Sequence, residues 1–189
     1  MTGAHPTAFQ ERFYKVIKGG INAENIVGMY KVNVHDGMNL ISLPLLPFSI
    51  ALADVIGIHV IGADNEGDSD RVCVWNGTNY EFVLLVDGVG APFNGQWYTG
   101  NAQTSITLGA DQGAWLQIRP DIGPLDLYLL DELFESNRTI PVGVGMNQVG
   151  ACYPVSVQLA DCNLWESGLT GADNEAAADR IWSGATDHY

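Results

Sequence analysis

The chain of 189 residues suits one large domain or two small ones, and with 47% hydrophobic and 16% charged residues it can bury a sizeable core. It carries 8 Lys and Arg against 22 Asp and Glu, a formal net charge of -14. This charge argues against a nucleic acid or an anionic membrane surface as a partner, because both attract clustered cations. Its 22 glycines and 8 prolines, among many β-branched and aromatic residues, predict an all-β fold.

Residues 1–20 form an N-terminal arm that differs in charge from the rest of the chain. The arm holds three basic groups and one acidic group, a net charge of +2, whereas the part from 21 to 189 holds five basic and 21 acidic groups, a net charge of -16. Two conformations suit the arm. Thr7 and Gln10 fit a capping box before a helical apolar face, which predicts a helix. Residues 11–20 (ERFYKVIKGG) resemble residues 80–88 (YEFVLLVDG), which predicts a strand.

Residues 21–120 are predicted to form a first β domain, followed by a connector at 121–136 and a second, truncated domain at 137–189. The longest apolar region, 40–63, has about the length of a membrane span. Two prolines and two polar residues interrupt it: Pro44, Pro47, Asp54 and His59. We therefore expect core strands there rather than a helix in lipid. The connector suits either a short helix or another strand.

An internal repeat is the most informative feature of the sequence. Residues 37–80 and 145–189 contain the same landmarks in the same order (GMN, Pro, LAD, GADNE, DR, Trp and Tyr), at a nearly constant offset. Because shared rare residues in a shared order seldom arise by chance, we interpret the two stretches as a duplication. Short apolar runs between Gly, Pro, Asn and Asp predict a β-sandwich or small barrel for each copy.

This pattern resembles a recurrent unit of tandem β-rich repeats in secreted and surface proteins of environmental bacteria. The matching residues of copy one are Gly37, Asn39, Asp70, Arg71, Trp75, Gly77, Tyr80, Trp97, Gly109 and Trp115. Those of copy two are Gly145, Asn147, Asp179, Arg180, Trp182 and Tyr189. The resemblance implies an extracellular or cell-surface β protein and assigns no catalytic role.

The second copy is shorter than the first. After Tyr80, copy one continues through EFVLLVDG, WYTG and SITLGADQGAWLQI, which predict three further strands, whereas copy two stops at the corresponding Tyr189. A sheet without its last strands exposes backbone groups with which another strand can pair. We expect the arm of a neighbouring copy to fill this gap, which joins subunits head to tail. The expected interface residues are Phe9, Arg12, Phe13, Tyr14, Lys15, Val16 and Ile17 of the donor and Trp182 and Tyr189 of the acceptor.

Other interpretations stay open. The arm could fold back onto its own second copy, the sequence could be a piece of a longer chain, or the arm could be a docking helix. A different class of function is a surface module that binds glycans by stacking them on Trp97, Tyr98 and Trp115, alone or with calcium.

The acidic loop DNEGDSD is the candidate metal site, since Asp64, Glu66, Asp68 and Asp70 offer the oxygen ligands that calcium prefers. Copy two keeps the outer residues of the loop but replaces its middle with Ala176, Ala177 and Ala178. The shared residues therefore favour a turn or an Asp–Arg pair, with calcium as the alternative for copy one.

Two kinds of covalent modification are compatible with the sequence. N-x-[ST] sequons at Asn76 and Asn137 would accept glycans in an exported protein, although Asn-Gly at the first is also a preferred hairpin turn. Cys152 and Cys162 could form a disulfide in an oxidising compartment or remain two buried thiols.

No motif of a hydrolase, metalloprotease, nucleotide-binding loop or dinucleotide fold occurs in the sequence, and the four histidines are scattered. We therefore expect no enzyme, and no cofactor other than calcium. The sequence predicts a structural subunit of an extracellular filament whose main partner is itself, with glycans as covalent decoration or as ligands.

Overall fold

The computed structural model contains two compact units, Met1–Pro154 and Val155–Tyr189. It describes residues 26–47, 49–57, 59–110, 112–120, 122, 124–134, 138–150, 158–174 and 176–181, and the backbone of 12–14, 17–18 and 21–22. Strands make up nearly all of the regular secondary structure of these residues, so the predicted β class is confirmed. No helix within them is long and apolar enough to cross a membrane.

The described strands all lie in the first unit. They are β1 (Arg12–Tyr14), β2 (Ile17–Lys18), β3 (Ile21–Asn22), β4 (Val27–Val34), β5 (Gly37–Ser42), β6 (Arg71–Trp75), β7 (Tyr80–Val86), β8 (Gln96–Thr99), β9 (Ala102–Gln103), β10 (Gly113–Ile118) and β11 (Leu125–Glu132). A single-turn helix, α1 (Leu52–Val55), lies between β5 and β6. The segment after Tyr80 forms β7, β8 and β10, which confirms the three strands predicted there, and adds the short β9.

The strands form two main sheets and one small hairpin. One sheet has the order β1-β4-β11, the other has the order β5-β10-β6-β7-β8-β9, and β2 pairs with β3. All of these strand pairs are antiparallel. The architecture is sandwich-like, and the small-barrel alternative is wrong because neither strand order closes on itself among the described residues.

The position of β10 decides the topology of the larger sheet. Although it follows β9 in the sequence, β10 is inserted between β5 and β6 and pairs with both. Its Leu116 is opposite Asn39 on one side and Val72 on the other. The ladder of the sheet is therefore complete only when the last strand of copy one is in place.

The chain changes sheets between β4 and β5, which are consecutive in sequence but belong to different sheets. Gly37 begins β5 with a φ of +87°, a backbone conformation that glycine adopts without the steric cost of a Cβ. This corner carries the chain from one layer of the sandwich to the other.

The core lies between the two sheets and follows strand alternation. On β10 the inward side chains Ala114, Leu116 and Ile118 are buried, and they pack in one cluster with residues of β11 such as Leu127. Each fully buried aliphatic side chain of this kind stabilises the fold by roughly 1.5–3 kcal/mol. The apolar periodicity of β10 thus fixes which of its faces is turned to the second sheet.

The region 40–63 differs from the expectation of core strands. Only its start belongs to a strand, β5, and α1 forms further along. Leu43, Pro44 and Leu45 are buried without belonging to a strand. Proline has no N–H to contribute to a ladder, so the chain leaves the sheet here while keeping its side chains in the core.

The connector left open between helix and strand contains β11, which pairs along its whole length with β4. In the second unit, the described residues form a 3₁₀ helix, Leu159–Asp161, and a series of turns. This 3₁₀ helix has the same sequence, LAD, as the first three residues of α1 in copy one. The predicted domain boundaries at 121 and 137 stay predictions.

Candidate assembly site

The described part of the N-terminal arm is extended rather than helical. Its backbone at Arg12–Tyr14 pairs with β4, with Arg12 opposite Met29, Phe13 opposite Gly28 and Tyr14 opposite Val27. The helix alternative is therefore wrong for these three residues. Their strand partner is β4 of the same unit.

Several of the predicted interface residues have no described side chain. Phe9, Lys15, Val16, Trp182 and Tyr189 lie outside the described residues, and only the backbone of Arg12, Phe13, Tyr14 and Ile17 is described. The copy-one counterparts of the two acceptor residues, Trp75 and Tyr80, pack edge to face with ring centroids 4.9 Å apart.

Asn39 and Asn147 occupy the same position of the repeat and form the same local turn. The backbone N–H of His35 donates to Oδ1 of Asn39 at 3.0 Å, and Nδ2 of Asn39 donates back to the His35 carbonyl at 2.7 Å. In copy two, Gly143 and Asn147 make the same pair of bonds at 2.9 and 2.7 Å. The asparagine therefore acts as a turn clamp in both copies.

The two asparagine turns differ in what covers them. Nδ2 of Asn39 also donates to the carbonyl of Leu116 on β10, at 3.3 Å, and Asn39 is only 6% exposed. Asn147 is exposed, and its bonds within the described residues stay inside its own turn, to Gly143 and Gly145. Copy one thus has a strand over its asparagine turn that the described residues do not provide for Asn147.

Asp70 and Asp179 form a second matched pair. The backbone N–H of Ile61 donates to Oδ2 of Asp70 at 2.9 Å, and the N–H of Asp70 donates back to the Ile61 carbonyl at 3.0 Å. Thr170 and Asp179 make the same two bonds at 2.8 and 2.9 Å. The aspartate of the DR motif therefore closes the acidic loop of each copy.

The surroundings of these two carboxylates also differ. Oδ1 of Asp70 accepts the backbone N–H of Arg119, just beyond β10, at 3.0 Å, and Asp70 is 2% exposed. Asp179 is exposed, and its described bonds all go to Thr170. The N–H and hydroxyl of Thr170 lower the pKa of Asp179, which favours an ionised carboxylate on the surface of the second unit.

The candidate calcium ligands are engaged in the turn itself. Nδ2 of Asn65 donates to Asp64 at 2.9 Å and to Asp68 at 2.7 Å, and its Oδ1 accepts the N–H of Asp68 at 3.1 Å. In copy two, the N–H of Ala177 donates to Asn174 at 3.1 Å, the equivalent of the bond from Asp68. The asparagine of GADNE thus organises the loop of each copy.

The remaining predicted ligands point to other partners. Glu66 forms an ion pair with Arg71, and Asp70 is directed at backbone N–H groups. Across the described part of the chain, no group of three or more His, Cys, Asp or Glu side chains is arranged to hold a metal ion. The geometry therefore supports the turn interpretation of this loop, in which Asn65 supplies the contacts.

The three aromatic residues predicted as a glycan platform do not come together. Trp97 is 7% exposed and belongs to the core, while its neighbour Tyr98 points to the opposite face of the sheet. Trp115 is partly buried on β10, opposite Cys73. Adjacent residues of a strand face opposite sides, so Trp97 and Tyr98 cannot line one surface.

Tyr98 instead lines a groove of about 500 Å³ on the outer face of β6, β7 and β8. Phe82 and Phe93 contribute aromatic rings that are 46% and 44% exposed, and Phe93 lies 6.2 Å from Tyr98 between ring centroids. Asp64 and Asn65 add polar groups at the edge. The sequence interpretation missed Phe82 and Phe93, although alternation along β7 places Phe82 and Leu84 on one face.

The predicted modification sites are described only in part. Oδ1 of Asn76 accepts the N–H groups of Thr78 and Asn79, so Asn76 shapes the exposed β6–β7 turn, while Asn137 lies outside the described residues. The loop between these strands holds four residues, 76–79, rather than the two of the predicted hairpin turn. Cys162 is exposed with a free thiol and Cys152 lies outside the described residues, so the disulfide stays a prediction.

Comparison of the chain with known protein families, with curated proteins and with solved structures gives no match. Fold and site define a predominantly β, sandwich-like protein in which the turn bonds of Asn39 and Asp70 recur at Asn147 and Asp179. The resemblance to tandem surface repeats remains an expectation from the sequence.

Proposed function

We propose that this protein is the structural subunit of an extracellular filament, in which one subunit donates a strand to the second copy of the next. The main support for this proposal is that the matched asparagine and aspartate are covered in copy one and exposed in copy two. β10 covers both motifs of copy one, through the Leu116 carbonyl and the Arg119 N–H, whereas Asn147 and Asp179 are exposed. A strand from another subunit would cover the turns of Asn147 and Asp179 in the way that β10 covers those of Asn39 and Asp70.

The N-terminal arm is the proposed donor. Its described backbone is already extended, and β1 is held to β4 by a ladder of only three residues. Exchange of so short a ladder for pairing in a neighbour costs few hydrogen bonds. The contact between one arm and the next body is heterologous, so it generates an open fibre or a ring rather than a closed dimer.

The charge distribution also favours contact between the arm of one subunit and the body of another. The arm has a net charge of +2 from three basic and one acidic groups, and the rest of the chain has a net charge of -16 from five basic and 21 acidic groups. Arm and body attract each other, while two bodies repel, which favours ordered addition over clumping.

Electron microscopy of the purified full chain tests this proposal. We expect thin fibres with a subunit-sized axial repeat at neutral pH. Deletion of residues 1–18 should abolish them, whereas deletion of residues 1–8, which keeps the donor segment 9–17, should leave them. Dispersed single particles of the full chain at micromolar concentration would contradict the proposal.

A second candidate function is glycan binding in the groove of Phe82, Phe93 and Tyr98. Exposed aromatic rings beside Asp64 and Asn65 provide stacking surfaces and hydrogen-bonding groups for a sugar. This candidate predicts that Tyr98→Ala lowers binding on a glycan array, while Trp115→Leu, which lies outside the groove, does not. A calcium-dependent form of it predicts that chelation also abolishes binding.

A further inference from the structure

The groove on the outer face of the larger sheet has a floor of side chains from three neighbouring strands. Leu84 of β7 is opposite Arg71 of β6 on one side and Tyr98 of β8 on the other. Phe82 lies two residues before Leu84, so alternation places it on the same face. Arg71 is the one charged residue that these strands contribute to the groove.

The two loops beside this floor are held by hydrogen bonds. In the acidic loop, the N–H of Ala63 donates to the Leu85 carbonyl at 3.3 Å, and the Ala63 carbonyl accepts the N–H of Asp87 at 3.0 Å. In the loop from β7 to β8, Oδ1 of Asn94 accepts two backbone N–H groups, among them that of Val89 at 3.0 Å. A ligand therefore enters a groove whose walls are already ordered, which lowers the entropic cost of binding.

The charge of the groove is small and negative. Its charged residues are Asp64, Glu66 and Arg71, two acidic and one basic, a net charge of -1. Glu66 forms an ion pair with Arg71, and the guanidinium carbon of Arg71 lies 5.9 Å from the centre of the Phe82 ring. The cation is thus engaged by two groups of its own chain. An acidic ligand would meet the charge of Asp64 and a cation that is already neutralised.

We propose that this groove binds an uncharged oligosaccharide, and that the ion pair between Glu66 and Arg71 excludes acidic sugars from it. The inference rests on the second candidate function, glycan binding, and adds to it the class of sugar. Half-exposed aromatic rings suit the C–H face of a pyranose, while the polar groups of the acidic loop suit its hydroxyls. The volume of about 500 Å³ lies within the range of ligand clefts, roughly 300–1,000 Å³.

A cationic ligand fits this groove less well, although the net charge is negative. Aromatic rings attract cations at their faces, but Arg71 already lies over Phe82. The two remaining rings, Phe93 and Tyr98, are 6.2 Å apart and tilted by 46°. This pair offers surfaces for stacking and does not enclose a single point as an aromatic cage does.

The test uses the full chain on an array that carries uncharged and acidic oligosaccharides. The wild type should bind uncharged ones only. Glu66→Gln keeps the size of the side chain but breaks the ion pair, so the guanidinium of Arg71 becomes free to bind a carboxylate through two hydrogen bonds. This variant should also bind acidic oligosaccharides, with an affinity at least about tenfold above that of the wild type by titration calorimetry. Because the side chain of Glu66 is 65% exposed, the melting temperature should hardly change.

Two further variants separate the ion pair from net charge. Asp64→Asn removes the same charge from the groove but leaves the ion pair intact, so its gain in binding of acidic sugars should be clearly smaller. Glu81→Gln changes the charge on the opposite face of β7 and should keep the wild-type specificity.

Binding of acidic oligosaccharides by the wild type would overturn the inference and leave glycan binding in place. Equal gains in Glu66→Gln and Asp64→Asn, or no gain in either, would do the same. A wild type that binds no glycan of the array would overturn both the inference and the second candidate function, and binding of a tetralysine peptide instead would identify a site for cations.

Discussion

The carboxylate of Asp70 accepts the backbone N–H of Arg119 at 3.0 Å, although the two residues are 49 positions apart in the sequence. The bond ties the loop before β6 to the chain just after β10, the strand that pairs with β6. Since Asp70 is 2% exposed, water cannot take over this bond when it is lost.

Replacement of Asp70 by Ala should destabilise the first unit strongly. The change leaves the N–H groups of Ile61 and Arg119 without their acceptor, and we expect a loss of about 3 kcal/mol in the free energy of unfolding. Urea denaturation followed by circular dichroism measures it. Asp68→Ala, in the exposed part of the same loop, is the control and should cost less than about 1 kcal/mol. Equal losses for the two variants would show that Asp70 acts only through the local turn.

The paired asparagines give a second prediction. Asn39→Ala removes bonds to His35, Gly37 and the Leu116 carbonyl at a buried position, so it should cost about 2 kcal/mol. Asn147→Ala removes the equivalent turn bonds at an exposed position, where water replaces them, and should cost under about 1 kcal/mol in the monomer. Thermal melting of both variants checks the order, and a reversed order would contradict the role assigned to β10.

Pairing between β4 and β11 should depend on pH through Lys31 and Asp126, whose Nζ and Oδ2 atoms lie 2.7 Å apart. The hydrogen bond from Lys31 holds the pKa of Asp126 below its ordinary 3.8, and the same bond raises the pKa of Lys31 above its ordinary 10.5. The contribution of Asp126 is present above 3.8 and is lost as the pH falls through its lowered pKa. That of Lys31 is present below 10.5 and is lost as the pH rises through its raised pKa.

Melting temperatures of the wild type and of Asp126→Asn across pH measure this pair. Between about pH 4 and pH 10 the wild type should be slightly the more stable, by a small amount because both side chains are more than about a third exposed to water. The difference should shrink towards zero on acidification through the lowered pKa of Asp126. A difference that stays constant down to pH 2 would show that charge is not its cause.

Thiol labelling should show a large difference in reactivity between Cys73 and Cys162. Cys73 is 3% exposed, and burial raises the pKa of its thiol, so it should react with iodoacetamide only after unfolding. Cys162 is exposed and should react within minutes in the native reduced protein. Intact mass before and after reduction counts the modified thiols. Labelling of Cys162 only after reduction would support the predicted bridge to Cys152.

Local patterns predicted the strands better than their partners. The alternating and apolar runs located β6, β7, β8 and β10, and the prolines after β5 explain where that strand ends. No local signal places β10 between β5 and β6, because this pairing joins segments far apart in sequence. The role of the DR aspartate was hidden for the same reason, since one of its partners, Arg119, belongs to a distant segment.

In the candidate site, too, the sequence indicated positions but not their contacts. The repeated order of landmark residues in the sequence indicated that Asn147 and Asp179 correspond to Asn39 and Asp70, and the hydrogen bonds show what each of them contacts. The predicted glycan platform of Trp97, Tyr98 and Trp115 does not share one surface. Trp97 and Tyr98 are adjacent on one strand, so their side chains face opposite sides of the sheet. Phe82, which does line the groove, occupies an alternating position of β7 that composition alone does not single out.

The insertion of β10 between two earlier strands also affects the order in which the larger sheet can form during synthesis. β5 and β6 leave the ribosome before the strand that separates them, so the nascent chain holds a vacant slot until Ile118 has emerged. Contacts between distant segments form slowly, and unpaired strand edges invite foreign strands in the meantime. Neighbouring nascent chains on one polysome therefore have an interval in which they can exchange strands before the larger sheet of either chain is complete.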